Sequence, residues 1–190
     1  MLYSISVIIK ARRRKGEKEM KRSFWQYIGV VVCLILVDQI SKQMIMSFFE
    51  QDRLYPVIDP GFSILIKINT GISFGLLQGQ NPYAFWLMLN NILGIGLLLL
   101  ALYYYAGHHR LLSIGFTLAL AGCTSHFFER RAAGGVVDFI VVDWFSHRFP
   151  YVFNFADICI VMSAILLFYH IVYIEKELRH YIMARFNTPQ

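Results

Sequence analysis

Four long apolar runs divide this chain, near 24–45 ("FWQYIGVVVCLILVDQISKQMI"), 84–104 ("AFWLMLNNILGIGLLLLALYY"), 111–128 and 155–174. A helix needs about 20 apolar residues to cross the hydrocarbon core of a bilayer. The pattern therefore predicts an all-α membrane protein, a four-transmembrane-helix bundle with no room for a second domain. Between the first two runs, the segment 47–83 contains "PGFSILIKINTGISFG". Its β-branched residues predict a small extracytoplasmic β-rich loop lying on the membrane. The opening "MLYSISVII" is apolar but only nine residues long, too short to span, and it lacks the small-residue cleavage site of a signal peptide. Met20, at the head of "MKRSFWQYIG", is an alternative start, which would make the residues before it a misplaced start or a loose surface segment. The division expected is a basic cytoplasmic N-terminal segment (1–23), a membrane domain (24–174) and a cytoplasmic tail (175–190).

Composition agrees with that pattern and adds direction. The 190 residues are 57% apolar and 16% charged, whereas soluble domains run nearer about 45–50% and about 25%. The net charge of +6 is uneven, because "KARRRKGEKEMKR" (10–22) holds 8 of the 18 Lys and Arg. Directly ahead of an apolar run, such a stretch marks the cytoplasmic side. It does not mark a nucleic-acid site, since no aromatic stacking residues accompany it on a polar surface. It also suits anionic membrane lipid. The N-terminal segment, the "YAGHHR" turn and the tail carry 12 Lys and Arg against 6 on the other side, counting Lys42 at the outer end of the first run. Both termini are then cytoplasmic, and the segments 47–83 and 129–154 face outward. Cys33, Cys123 and Cys159 stand singly in apolar runs, so neither a disulfide framework nor a metal site is suggested.

The polar residues inside the apolar pattern are the chemical candidates. "VDQISK" sets Asp38 and Lys42 at i and i+4, the favourable order for an ion pair on one helix face. A charge within the membrane costs at least about 2.5 kcal/mol unless partnered. A structural clamp is the simpler reading of this pair, and a proton relay the sharper one. "GGVVDFIVVDWFSHRFPYVFNFADICIV" (134–161) adds Asp138, Asp143 and Asp157 among Val, Ile, Phe and Trp. Asn154 and Asp157 lie three apart at the start of the fourth run, on one face, where the helix dipole favours an ionised carboxylate. Asp138 sits between bulky apolar residues that favour its protonated form. Spacing leaves two readings open: a helix-capping Asp157 with a solvated Asp138, or a dyad sharing one proton, as in aspartic proteases.

Other motifs fail on context. "GISFG" (71–75) matches G-x-S-x-G but has no hydrolase sheet to sit on. The tandem His108-His109 lies at the opposite membrane face from the aspartates, with no H-E-x-x-H. "LAGC" (120–123) imitates a lipoprotein processing site, but in mid-span.

Taken in order, these segments resemble the signal peptidase II (lipoprotein signal peptidase) family of bacteria. "VDQISK" resembles its D-Q-x-S/T-K segment, and "NTGISFG" its N-x-G-x-A/S-F-G segment. "GGVVDFI" and "FNFADICI" resemble the two segments carrying its catalytic aspartates. The resemblance runs from about residue 20 to 174 and keeps the four-span order. It implies an intramembrane aspartic endopeptidase in the bacterial inner membrane, removing signal peptides from prolipoproteins whose cysteine carries diacylglycerol. It also implies inhibition by globomycin and no cofactor or metal. Carried over by motif, Asp138 and Asp157 form the dyad, Asp143 has no catalytic counterpart, and Asn154 holds the dyad. Asn69 and Gly71 belong to the substrate-facing loop, while Asp38 and Lys42 order the site from the first helix.

One stretch departs from the family's G-G-x-x-G-N-x-x-D-R, which here reads "AGCTSHFFER" (121–130). Arg130 is retained, but Ser125, His126 and Glu129 replace Gly, Asn and Asp. Glu129 keeps the charge. His126 keeps donor and acceptor capacity but can become cationic beside the dyad, which bears on pH optimum and efficiency. The competing readings are a catalytically impaired relative that binds lipoproteins without cutting them, and a small proton-coupled transporter. No internal repeat supports the transporter. The G-x-G-D segment of presenilin-type proteases is absent.

Overall fold

The computed structural model describes residues 2–58, 61–70, 84–142, 151–174 and 176. Gly71, Asp143, the "GISFG" stretch and all of the tail except Lys176 lie outside the described residues. Helix α1 (Leu2–Phe48) is followed by strands β1 (Leu54–Ile58) and β2 (Phe62–Asn69). Then come helices α2 (Ala84–Tyr105) and α3 (Arg110–Ala133), strands β3 (Val136–Val142) and β4 (Val152–Phe153), and helix α4 (Phe155–Tyr169), which runs on into a π turn at His170–Ile174. The protein is thus mostly helical with one small antiparallel sheet.

Among the described residues, three helices are long and apolar enough to cross a membrane: Gly16–Phe48 within α1, Arg110–Ala133, and Phe155–Tyr173. In α2 the stretch Leu89–Tyr105 is a shorter apolar helix. The helix α1 also continues through the basic run back to Leu2. Large apolar side chains face outward, among them Leu97, Leu100, Val161 and Phe168. The buried face of α3 is instead mostly small, with Ser113, Gly115, Thr117, Ala121, Gly122 and Ser125 beside Leu112 and Leu120. Small residues inside and bulky ones outside is the packing of helices in lipid, where close approach of backbones replaces the hydrophobic drive. Ser113 and Thr117 turn their hydroxyls back onto the His109 and Ser113 carbonyls at 2.9 and 2.6 Å, so neither hydroxyl is stranded.

Helix α3 is central and packs against α1, α2 and α4. Its contact with α4 is closest at Gly122, where a Cβ would meet the Ala156 carbonyl oxygen and Ile160 Cγ1 at 2.6 Å each. It ends five residues later than the apolar run suggests. Glu129, Arg130 and Arg131 stay helical until Gly134 (φ 72°) adopts the left-handed conformation and donates its N–H to the Arg130 carbonyl.

The sheet order is β1-β2-β3-β4, antiparallel throughout. It is therefore not confined to the loop between α1 and α2, since half of it comes from the α3–α4 connection. Asp138 lies on a strand, opposite Lys67, and Asn69 lies opposite Val136. Side chains alternate faces along a strand, so Asn69 and Asp138 share one face on the diagonal of the pair.

Candidate active site

Two carboxylates meet around one asparagine at the junction of the sheet and α4. Asn154 is the N-cap of α4: its Oδ1 accepts from the Asp157 N–H at 3.0 Å, and its own N–H donates to Asp157 Oδ2 at 3.0 Å. This reciprocal box satisfies two donors that every helix start leaves unpaired. The other end of the same amide reaches the sheet. Asn154 Nδ2 donates to Asp138 Oδ1 at 2.6 Å and to the Val137 carbonyl at 3.3 Å. Asn69 Nδ2 donates to Asp138 Oδ2 at 3.1 Å. The fully buried Asn154 is thus hydrogen-bonded to both aspartates.

The two carboxyl groups occupy unlike environments. Asp157 is 35% exposed at the N-terminus of α4, where the helix dipole favours negative charge. Asp138 is only 5% exposed, which corrects the reading of it as a solvated residue. Burial pushes its carboxyl up to about 6, the negative Asp157 adds to the rise, and the two asparagine donors and His126 oppose it. The helix-capping reading of Asp157 holds, and it coexists with proximity to Asp138.

A second polar cluster supports the first from α1. Lys42 Nζ, 1% exposed, donates to Asp38 Oδ2 and Glu129 Oε2, each at 2.7 Å. Asp38 Oδ2 also accepts from Ser125 Oγ at 2.6 Å, and Asp38 Oδ1 from the Ala156 N–H at 3.1 Å. Gln39 Nε2 donates to Ser125 Oγ at 3.0 Å. The expected Asp38–Lys42 pairing is present, with Glu129 as a third member. His126 Nε2 lies 3.3 Å from Asn154 Oδ1 and 3.6 Å from Asp157 Oδ1. Arg130 is within electrostatic reach of Asp138, Asp157 and Glu129.

The sequence profile of signal peptidase (SPase) II matches residues 30–173. The chain belongs to the signal peptidase II family. It is therefore an aspartic peptidase, a hydrolase of the lipoprotein signal peptidase class. The lipoprotein signal peptidase of Bacillus velezensis is 34% identical over 150 residues, covering 77% of this chain and 94% of that protein. That of Symbiobacterium thermophilum is 30% identical, covering 79% and 96%. That of Yersinia enterocolitica is 32% identical, covering 76% and 84%. Among solved structures, a bacterial membrane enzyme determined by the in meso method at 2.3 Å resolution superimposes with a TM-score of 0.63 at 26% identity, over 80% of this chain and 89% of that one. A second, at 1.9 Å resolution, gives 0.61 at 26% identity, over 78% and 93%.

Of the residues that the signal peptidase II motifs single out, the fold brings together Asp38, Lys42, Asn69, His126, Glu129, Asn154, Asp138 and Asp157. Arg130 adjoins them, its side chain making no hydrogen bond or ion pair among the described residues. Two contributors escaped the sequence reading: Gln39, as a side chain reaching across to α3, and the backbone N–H of Ala156. Ser125 was visible only as a departure from the family pattern. A small polar residue one helical turn before Glu129 was the available signal for its contact with α1.

Proposed function

We propose that this protein is a four-span peptidase of the bacterial inner membrane that removes signal peptides from diacylglyceryl-modified prolipoproteins, using Asp138 and Asp157 as one catalytic dyad. The observation that carries the reading is the double engagement of Asn154, whose side chain and backbone serve both carboxyl groups at once. In this reading both termini are cytoplasmic, as the Lys and Arg bias favours, and the sheet and dyad lie near the outer face. The domain division is then a basic segment (1–23), the membrane domain (24–174) and a cytoplasmic tail (175–190). Asn69 belongs to the substrate-facing segment, with Asp38, Lys42, Glu129, Arg130 and His126 supporting the dyad.

The chemistry follows from the unlike environments. Asp157, at a helix N-terminus and open to solvent, is the carboxylate that takes a proton from water. Asp138, buried and pushed up to about 6, is the acid that donates to the scissile carbonyl oxygen. A bound substrate helix removes further water from Asp138 and strengthens its hold on the proton. The substrate's lipidated cysteine lies in the bilayer, so its apolar segment reaches the site by lateral diffusion. Water is needed only at the membrane surface, where the dyad is reached. The transporter reading loses support because Asp38, Lys42, Glu129, Asp138 and Asp157 cluster at one end of the bundle.

The test is cleavage by purified protein in detergent of a diacylglyceryl-modified prolipoprotein, beside the same substrate without its lipid. Cleavage of the lipidated form, blocked by globomycin, is the expected result. Folded protein that leaves the lipidated substrate intact over a range of pH would contradict the assignment and favour a binding or transport role.

A further inference from the structure

The dyad assigns work to Asp138, Asp157 and Asn154 but does not say how His126 supports them, although its ring lies beside Asn154 and Asp157. The hydrogen bonds of Asn154 decide what His126 does. Both N–H groups of its amide are used, on Asp138 Oδ1 and the Val137 carbonyl. Its Oδ1 accepts from the Asp157 N–H and keeps one lone pair free. His126 Nε2, 3.3 Å from that oxygen, must therefore be a donor. A flipped amide would aim its oxygen at two acceptors and its N–H groups at two donors. The imidazole thus opposes the flip from one side as Asp138 does from the other.

We propose that His126 is a positioning residue of the peptidase. Its Nε2–H holds Asn154 in the orientation that serves both aspartates, and its charge, on gaining a second proton at Nδ1, sets the pH range in which Asp138 keeps its proton. This rests on the dyad reading. The charged and titratable groups around the ring are Asp157 of α4, at 3.6 Å, and Asp138 of β3. Glu129 and Arg130 stand on its own helix. Asp38 and Lys42 of α1 are engaged with each other and with Glu129. Lys67 of β2 stands opposite Asp138 in the sheet, and α2 has no ionisable residue before Tyr103. Arginine and lysine stay charged through the working range, so among the described residues His126 is the cation beside the dyad whose charge changes there. A charged imidazole weakens the hold of Asp138 on its proton, so removing the imidazole lets Asp138 keep that proton to higher pH.

Two substitutions separate the roles. His126→Gln keeps an N–H donor at similar reach without the charge, and His126→Phe fills the space with neither. Cleavage of the lipidated substrate is followed from about pH 5 to 9, with kcat and KM resolved. His126→Phe is expected to lower kcat about tenfold, with KM within about twofold of wild type. His126→Gln is expected to recover most of that loss. In both, the alkaline limb of kcat moves up by about half a pH unit or more. Wild-type limbs in both variants, or wild-type kcat in His126→Phe, would overturn the proposal. So would a loss in His126→Phe that tracks a lowered melting temperature with an unmoved limb, because packing alone would account for it. Asp138→Asn is run alongside: cleavage there would reject the dyad and this proposal with it, whereas loss there with unmoved His126 profiles rejects only the role of His126.

Discussion

Asp38 accepts a hydrogen bond from the backbone N–H of Ala156 at 3.1 Å, so a carboxylate from the C-terminal quarter of α1 caps the first turn of α4. The consequence is mechanical. The first turn of α4 carries Asp157 and its Asn154 cap, and the α1 contact fixes that turn against the bundle. Lys42 and Ser125 hold Asp38 in turn.

Among the described residues, Lys42 is the only cation hydrogen-bonded to Asp38 and Glu129, and both carboxylates are largely buried. Removing one partner of a buried charged group costs about 3–5 kcal/mol, because the remaining charge is left uncompensated. Lys42→Met should lower stability by about that amount in detergent unfolding experiments. Adding Glu129→Gln should recover part of the loss. A Lys42→Met protein that melts with wild type would contradict the clamp.

Asn154 has two separable duties. Asn154→Ala removes the helix cap and the amide on Asp138, so it should lose about 1 kcal/mol of stability and most cleavage. Asn154→Ser keeps an oxygen for the Asp157 N–H but has no amide for Asp138. Near-wild-type stability with cleavage still severely reduced is expected, measured by thermal melts and product formation on the same preparation.

The α3–α4 contact leaves no space at Gly122. Gly122→Ala should push the helices apart beside the dyad, costing about 1–3 kcal/mol and reducing cleavage. Gly96→Ala is the control, since a Cβ there meets nothing within 4 Å. Its melting temperature should be unchanged or raised.

Asp138 also links stability to pH. Its folded-state carboxyl is raised from 3.8 to about 6, so the folded form binds the proton more tightly than the unfolded chain. That contribution is fully present below the unfolded value and is lost as pH rises through the folded one. Wild type should therefore lose about 2 kcal/mol from this residue between about pH 4 and 6. The corresponding slope should be missing from Asp138→Asn. Parallel stability-versus-pH curves for the two proteins would contradict the burial argument.

Much of this was legible where the signal is local. The apolar runs foretold the helices, the i, i+4 spacing foretold the Asp38–Lys42 pair, and the three-residue spacing foretold the cap at Asn154 and Asp157. The end of α3 was missed because Glu129, Arg130 and Arg131 look like loop, yet a helix continues until a residue such as Gly134 can turn it. Partners distant in the chain were not readable. Asp38 meets Ala156 across 118 positions, and Lys42 meets Glu129 across 87. Periodicity places a side chain on a face but does not say what packs against that face. For the same reason the sequence left a solvated Asp138 open beside a buried one, whereas pairing of β3 with β2 buries it beside Asn69. The motif series carried the rest, because it ordered residues that no single spacing connects.

The most direct test of the dyad is a gel-shift cleavage assay comparing wild type with Asp138→Asn, Asp157→Asn and Asp143→Asn, each shown to be folded and membrane-inserted. Loss of at least about a thousandfold in each of the first two, with only a mild effect at Asp143, is the predicted result. Cleavage retained by either Asp138→Asn or Asp157→Asn would contradict the two-carboxylate mechanism.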